Sequence, residues 1–184
     1  MENNIPSLVE KARNGNRYAF SELYKEYYSP IYRFVLIKTR HKETAEDITQ
    51  SVFGKALQSV SRYKDTGAPF LAWLYTIARN LCIDYFKKKK DLLPGDPDLF
   101  WQELPDSICV SKDGRLEDMR EAVARALLVL TDEQREVVSL RFIEDRSYAE
   151  IATLLGKSEE ALRALNHRAM KEMRKVLPSY NFDD

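Results

Sequence analysis

Apolar residues recur at three- and four-residue steps along almost the whole chain, and a single stretch, residues 90–116, breaks the pattern. That period belongs to amphipathic helices, where positions three and four apart share a face. No alternating run longer than a few residues points to a strand, and nothing repeats at a fixed period. The break, "KDLLPGDPDLFWQELPDSICVSKDGRL", holds three prolines and two glycines and reads as a linker. The expected fold is all-α: two small helical domains joined by an acidic linker. The first module covers residues 1–90, the linker 91–115, the second module 116–178 and a tail 179–184. Within the linker, Leu99, Phe100, Trp101 and Leu104 suit docking, on the chain's own modules first or else on a partner.

Charge divides the chain in the same places. The formal net charge is zero, yet residues 1–90 hold 16 Lys and Arg against 9 Asp and Glu, while residues 91–118 hold 2 against 8. A basic first half suits a polyanion, and an acidic connector avoids one or competes with it for a basic channel. Either block alone also fits a solvated face.

In the first module, Phe20, Leu23, Tyr24, Tyr27, Ile31, Phe34 and Val35 form one core stripe, with Ser29-Pro30 placed to kink the helix or restart it. Over residues 42–60, Ala45, Ile48, Val52, Ala56 and Val60 share a face. Asp47, Gln50, Ser51 and Gly54 lie opposite, a polar face that by itself need only be wet.

"FLAWLYTIARNLCIDYFKKKK", residues 70–90, carries the most informative helix. Its predicted buried stripe is Phe70, Leu74, Ile77, Leu81 and Tyr85, and Trp73, Thr76, Asn80, Asp84 and Lys87 fall together beside it. Arg79, Asn80 and Asp84 interrupt it at helical spacing, against a membrane span of ~18 or more apolar residues. Two readings of the second face stand side by side. Trp, Thr, Asn and terminal lysines supply stacking, base-edge and phosphate groups for single-stranded nucleic acid. Equally, Trp73 can be core while the lysines cap a helix C-terminus.

The second module reads as a helix-turn-helix. Thr131 with Gln134 and Ser147 with Glu150 are capping-box starts, Gly156 marks a turn, and Ser158 caps a longer helix striped by Leu162, Leu165, Ala169, Met173 and Val176. Ala152 is small where the two helices cross. Arg163, Asn166, His167, Arg168 and Lys171 then lie exposed, with groups able to read base edges and hold phosphates. A generic helical hairpin shares the pattern but leaves these side chains idle.

Several function classes are disfavoured. The N-terminus lacks the layout of a secretory signal, which places the chain in the cytoplasm. Cys82 and Cys109 form no CxxC pair, only two His are present, and no metal or cofactor is expected. Both cysteines read as reduced thiols, Cys82 at a helix surface. No nucleophile-base pair or phosphate-binding glycine loop suggests an enzyme.

Three stretches, "AEDITQSVFGKAL", "FLAWLYTIARNLCIDYFKKKK" and "LTDEQREVVSLRFIEDRSYAEIATLLGKSEEALRALNHRAMKEMRKVL", closely resemble the sigma-70 family of bacterial transcription initiation factors, in its extracytoplasmic-function (ECF) group. The likeness runs from about Leu8 to Leu177, with the family's regions 2 and 4 in order. It implies a promoter-specificity subunit that binds core RNA polymerase and directs it to −10 and −35 elements. Asp47 and Gln50, with the neighbouring Ser51, match the surface that grips the clamp helices of the polymerase's largest subunit; a flap of the second-largest is a further implied partner. Arg62, Tyr63, Lys64 and Phe70 match the loop that captures a flipped −10 base, and Trp73, Thr76, Asn80, Lys87 and Lys88 the helix that reads and melts that element. Lys157, Ser158, Arg163, Asn166, His167, Arg168 and Lys171 match the −35 reader. The linker matches a segment threading the RNA exit path. The resemblance further implies an anti-sigma factor as partner, a monomer when free, no membrane insertion of its own, and possible sequestration at the inner face of the membrane. Departures cluster at the −35 reader: Glu159 and Glu160 open its helix, Lys157 replaces a frequent turn hydrophobe, and "ALNH" replaces a Ser-Arg-containing run. The ending "PSYNFDD" leaves no room for an appended regulatory domain. An ordinary helix-turn-helix repressor and an RNA-binding or protein-interaction adaptor are the competing readings.

Overall fold

Side-chain caps start the first three helices of the first module. The computed structural model describes residues 4–88 and 116–177, with side chains of the second span from 122 onward. Helix α1 (Ile5–Arg13) opens on Asn4, whose side-chain oxygen accepts from the Ser7 N–H at 3.3 Å, and Pro6 sits in the first turn, where its missing N–H is harmless. Helix α2 (Arg17–Thr39) is capped by Asn16, which accepts from the Ala19 N–H at 3.0 Å. It runs through Ser29-Pro30 as one helix, because Pro30 and Ile31 are both buried and packing holds the turn that the proline weakens. Arg40, left-handed at φ 56°, ends it. Helix α3 (Lys42–Ser59) is capped by His41, which assigns one of the two histidines a structural task. A 3₁₀ turn, Val60–Arg62, and a loop lead to α4 (Phe70–Lys88).

Helices α2, α3 and α4 pack on one another and bury Leu23, Ile31, Val35, Val52, Ala56 and Leu74. Two expectations shift. Tyr24 lies at the rim, 37% exposed. In α4 the buried centre is Leu71, Leu74, Tyr75, Ala78 and Cys82, while Ile77, Leu81 and Tyr85 are half-buried. The expected stripe assumed one covered face, whereas α4 is covered on two.

Both capping boxes of the second module form. After α5 (Leu116–Leu128), Thr131 and Gln134 exchange bonds to open α6 (Asp132–Val138), and Ser147 and Glu150 do the same for α7 (Tyr148–Leu155). Helix α6 continues into a π-turn, Ser139–Ile143. Arg135 is buried yet satisfied, donating to the Leu127 and Leu130 carbonyls at 2.9 and 2.7 Å and to Asp132 at 2.9 Å. Gly156 ends α7 at φ 64°, a left-handed position that suits glycine. Helix α8 (Glu159–Val176) buries Leu162, Leu165, Ala169 and Met173 as its period predicts. Val176 is exposed instead, because the chain leaves the helix there and Leu177 takes the buried place.

The modules are not separate bodies on a tether: α7 packs against α4, and α6 against α2. This contact overturns the expectation for Cys82, which is a free thiol only 1% exposed. Its burial pushes the thiol up to about 12. The linker with Leu99, Phe100, Trp101, Leu104 and Cys109, the last two lysines of the run, and the tail lie outside the described residues. Among the described residues no helix is long and apolar enough to cross a membrane.

Candidate nucleic-acid interface

An aromatic group organises the start of α4. The Tyr63 ring lies 5.2 Å from Phe70 and 5.1 Å from Trp73, and Phe70 lies 5.2 Å from Trp73. Tyr63 and Phe70 are buried, so they brace the loop and offer no free face to a base. Trp73 is half-buried and borders a crevice of about 750 Å³. Between them, Asp65 accepts from the Gly67 N–H at 2.9 Å, a local turn that tolerates the positive φ at Gly67. The sequence expectation set Tyr63 and Phe70 among the base-capturing residues, whereas the structure buries both against Trp73.

The crevice has two walls. Arg62, Lys64, Trp73, Thr76 and Arg79 come from the first module, and the second contributes residues 153–156 around the end of α7. Arg62 and Lys64 are exposed and form no ion pair among the described residues. Thr76 donates its hydroxyl proton to the Ala72 carbonyl at 3.0 Å, which leaves its oxygen free to accept. Asn80, Asp84, Lys87 and Lys88 continue along α4, all exposed. Cations, one indole and small polar groups along a single helix face can stack a base, meet its edge and hold phosphates. A second cavity, of about 760 Å³, opens behind the loop between α1 and Tyr27, Tyr63 and Phe70.

Asp47, Gln50 and Ser51 sit together on the exposed side of α3, next to Gly54, and none has a side-chain partner among the described residues. They form an exposed polar stretch of α3 that does not line the crevice.

In the second module, Ser158 uses its hydroxyl to cap α8, accepting from the Ala161 N–H at 3.2 Å. Lys157 is held by Glu133 at 2.8 Å, which lowers the pKa of that carboxyl. Arg163 bonds Glu159 at 3.2 Å and stacks over the Tyr148 ring at 4.5 Å. His167, Arg168 and Lys171 are exposed along α8. Asn166 differs from expectation: it is half-buried, and its side-chain oxygen is buried without a partner. Glu159 and Glu160 are both exposed, and Glu159 pairs with Arg163.

The sequence reading missed the charges that join the modules. The Arg33 guanidinium grips Glu144 at two points, and this bond raises the Arg33 pKa. Arg79 reaches Glu136 at 2.8 Å, and Lys38 approaches the other oxygen of the same carboxylate at 3.6 Å. Partners this far apart in sequence leave no periodic signal. Among the described residues, no group of His, Cys, Asp and Glu is arranged to hold a metal.

Residues 23–91 match the family description Sigma-70 region 2, and residues 126–175 match Sigma-70, region 4. The ECF RNA polymerase sigma factor BldN of Streptomyces coelicolor is 37% identical over 93% of this chain; the match spans 65% of that relative, just under two thirds of its length. The ECF RNA polymerase sigma factor SigX of Bacillus subtilis is 33% identical over 85% of this chain and 82% of its own. In fold, the chain is similar to the sigma factor RpoE of Bartonella quintana, solved in complex with the anti-sigma factor NepR, with a TM-score of 0.64, 21% identity, and coverage of 88% of this chain and 98% of that one.

Proposed function

From the premise that the chain belongs to the sigma-70 family and its ECF group, we propose that it binds core RNA polymerase, directs it to −10 and −35 promoter elements and promotes melting of the DNA. The observation that carries this reading is the pairing of two different nucleic-acid surfaces in one chain. Region 2 supplies an indole, an amide and unpaired cations along α4; region 4 supplies a capped helix with exposed His167, Arg168 and Lys171. A duplex reader alone has no use for the first surface.

Roles follow by surface. Asp47, Gln50 and Ser51 meet the clamp helices of the largest subunit, and the second module meets a flap of the second-largest. Trp73, Thr76 and Asn80 engage the displaced strand, with Arg62, Lys64, Lys87 and Lys88 on its phosphates, while Tyr63 and Phe70 hold the loop in shape. Extruding a base costs about a few kcal/mol, which stacking at roughly 1–3 kcal/mol per base offsets. Arg163, Arg168 and Lys171 contact the −35 element, Lys157 and Ser158 set the entry of α8, and Asn166 and His167 border the groove. Residues 1–90 and 116–178 form the two working modules, and 91–115 threads the RNA exit path.

The protein adds no bond-making chemistry; it acts in the cytoplasm, and an anti-sigma protein is a fitting partner, as for its fold neighbour. Permanganate probing of promoter duplexes tests the melting step. Unpaired thymines should appear near −10 only with core polymerase and this chain together. Unchanged duplex in that mixture, with tight duplex binding by the chain alone, would make it a helix-turn-helix repressor.

A further inference from the structure

We propose that Tyr148 and Glu159 are positioning residues for Arg163: the ring of one and the carboxylate of the other hold the Arg163 guanidinium as a fixed fork, so that it reads a guanine of the −35 element and does not swing onto a phosphate. The hold is a feature of the free chain; the guanine rests on the function proposed above.

Arg163 differs from the other cations of α8. Its guanidinium carbon lies 4.5 Å from the centre of the Tyr148 ring, and its Nη2 donates to the Glu159 carboxylate at 3.2 Å. His167, Arg168 and Lys171 are exposed on the same helix and form no ion pair or ring contact among the described residues. A ring face attracts a cation, and a planar guanidinium can stack on it as an ammonium cannot. Two contacts, one from α7 and one from the first turn of α8, thus fix one side chain, and its neighbours rest on neither.

The platform is itself fixed. Tyr148 is the first residue of α7, directly after Ser147, whose capping box with Glu150 sets the backbone there. Its ring is half-buried against the core. Arg141 approaches the same ring at 5.6 Å and donates to the Arg146 carbonyl at 3.1 Å, which ties the turn before α7 to it.

Geometry and charge then limit what Arg163 can meet. A guanidinium carries its N–H groups in one plane. Glu159 takes one of them, at Nη2, and the ring covers a face without using any, so enough remain for a second, bidentate partner. Guanine offers that partner two acceptors, O6 and N7, in the major groove. Glu159 also weakens the alternative. Its carboxylate offsets the guanidinium charge and repels phosphate oxygens, and a phosphate is held by charge where guanine is held by the fork. Both side chains stay exposed, and they lie in the opening turns of α8, the part of a reading helix that meets base edges. A fork ordered before DNA arrives avoids part of the cost of ordering a long side chain on binding.

Two measurements on the full chain test this. Nitrogen relaxation of the arginine Nε–H groups, without polymerase, should show Arg163 more ordered than Arg168. That difference should vanish in Tyr148→Leu and shrink in Glu159→Gln, and Tyr148→Phe, which keeps the ring, should preserve it. Affinities of the holoenzyme for duplexes carrying each base at each −35 position should show one position where the parent prefers guanine by about five- to a hundredfold, the worth of a bidentate base contact. Tyr148→Leu and Glu159→Gln should each cut that preference by about two- to tenfold, the ordering cost of one long side chain, and leave the other positions unchanged. Tyr148→Phe should retain it, and Arg163→Lys, which keeps the charge without the fork, should abolish it. Glu159→Gln, at an exposed position, decides the matter if Tyr148→Leu loses helix content. An Arg163 as mobile as Arg168, or a guanine preference that Glu159→Gln does not move, overturns the proposal. So does an Arg163→Lys variant that keeps the parent's base preferences, which would make Arg163 a phosphate contact. An ordered Arg163 in a holoenzyme indifferent to every −35 position leaves the hold standing and overturns the promoter reading instead.

Discussion

Tyr63 and Trp73 hold their rings 5.1 Å apart at 51°, so a buried tyrosine props a half-buried indole at the edge of a basic crevice. Trp73→Ala should therefore slow open-complex formation by roughly five- to a hundredfold, the range of one lost stacking contact of about 1–3 kcal/mol. Core polymerase binding should persist. Asn80→Ala, at an exposed position, controls for folding and should show the same separation at smaller size. Permanganate kinetics and a polymerase pull-down measure the two arms.

Asp47 and Gln50 answer the opposite question. Asp47→Arg with Gln50→Ala should weaken binding to core polymerase by about tenfold or more, a modest share of what one interface hot spot can cost. Neither residue holds a partner among the described residues, so thermal stability should stay within about 0.5 kcal/mol of the parent. Native gel titration of core polymerase with each variant checks both statements.

Arg168→Ala and Lys171→Ala should separate two kinds of contact on α8. Loss of a phosphate contact weakens binding evenly across sequences and reduces the salt slope by about 1, whereas loss of a base contact relaxes one position of the −35 element. Salt-dependent affinity of the holoenzyme for a −35 variant panel distinguishes them.

The turn between α7 and α8 predicts stability effects. Gly156 sits at φ 64° with open space where a Cβ would go, so Gly156→Ala should cost about 1–2 kcal/mol through backbone conformation alone. Ser158→Ala removes the bond to the Ala161 N–H and should cost about 1 kcal/mol. Urea unfolding followed by helix signal gives both values.

Acid should weaken the second module first. Bonds from the Ser147 N–H and hydroxyl lower the Glu150 pKa, and the Lys157 ammonium lowers that of Glu133, both below the ordinary value of 4.5. A lowered folded value means that the stabilisation is complete above the unfolded value and fades as pH falls through the folded one. Midpoint temperatures should thus fall more steeply from pH 5 to pH 3 in the parent than in a chain carrying Glu133→Gln and Glu150→Gln.

Much of the architecture was legible because it is local. Capping boxes at Thr131 and Ser147, the left-handed Gly156 and the Ser158 cap each depend on a few neighbouring residues, and all form. The stripe of α8 was legible for the same reason, since one face meets one core. Helix α4 was read one residue, about 100° of the wheel, away from its true centre, because the second module covers a face that its sequence marks as polar with Arg79. Cys82 was misplaced by that same contact. For the candidate site, the sequence grouped Arg62, Lys64, Trp73, Thr76 and Asn80; the first four line one crevice and Asn80 lies outside its lining, and only tertiary packing reveals that Tyr63 and Phe70 are buried. The pairs Arg33–Glu144 and Arg79–Glu136 join residues on different helices of different modules and leave no trace in any period.

The central claim is tested most directly by run-off transcription from a library of promoter fragments, with purified bacterial core polymerase in the presence and absence of this chain. The account predicts transcripts from defined start sites only when the chain is present, with Trp73→Ala reducing their yield. Equal transcription with and without the chain, while the chain alone shifts duplex DNA, would contradict it.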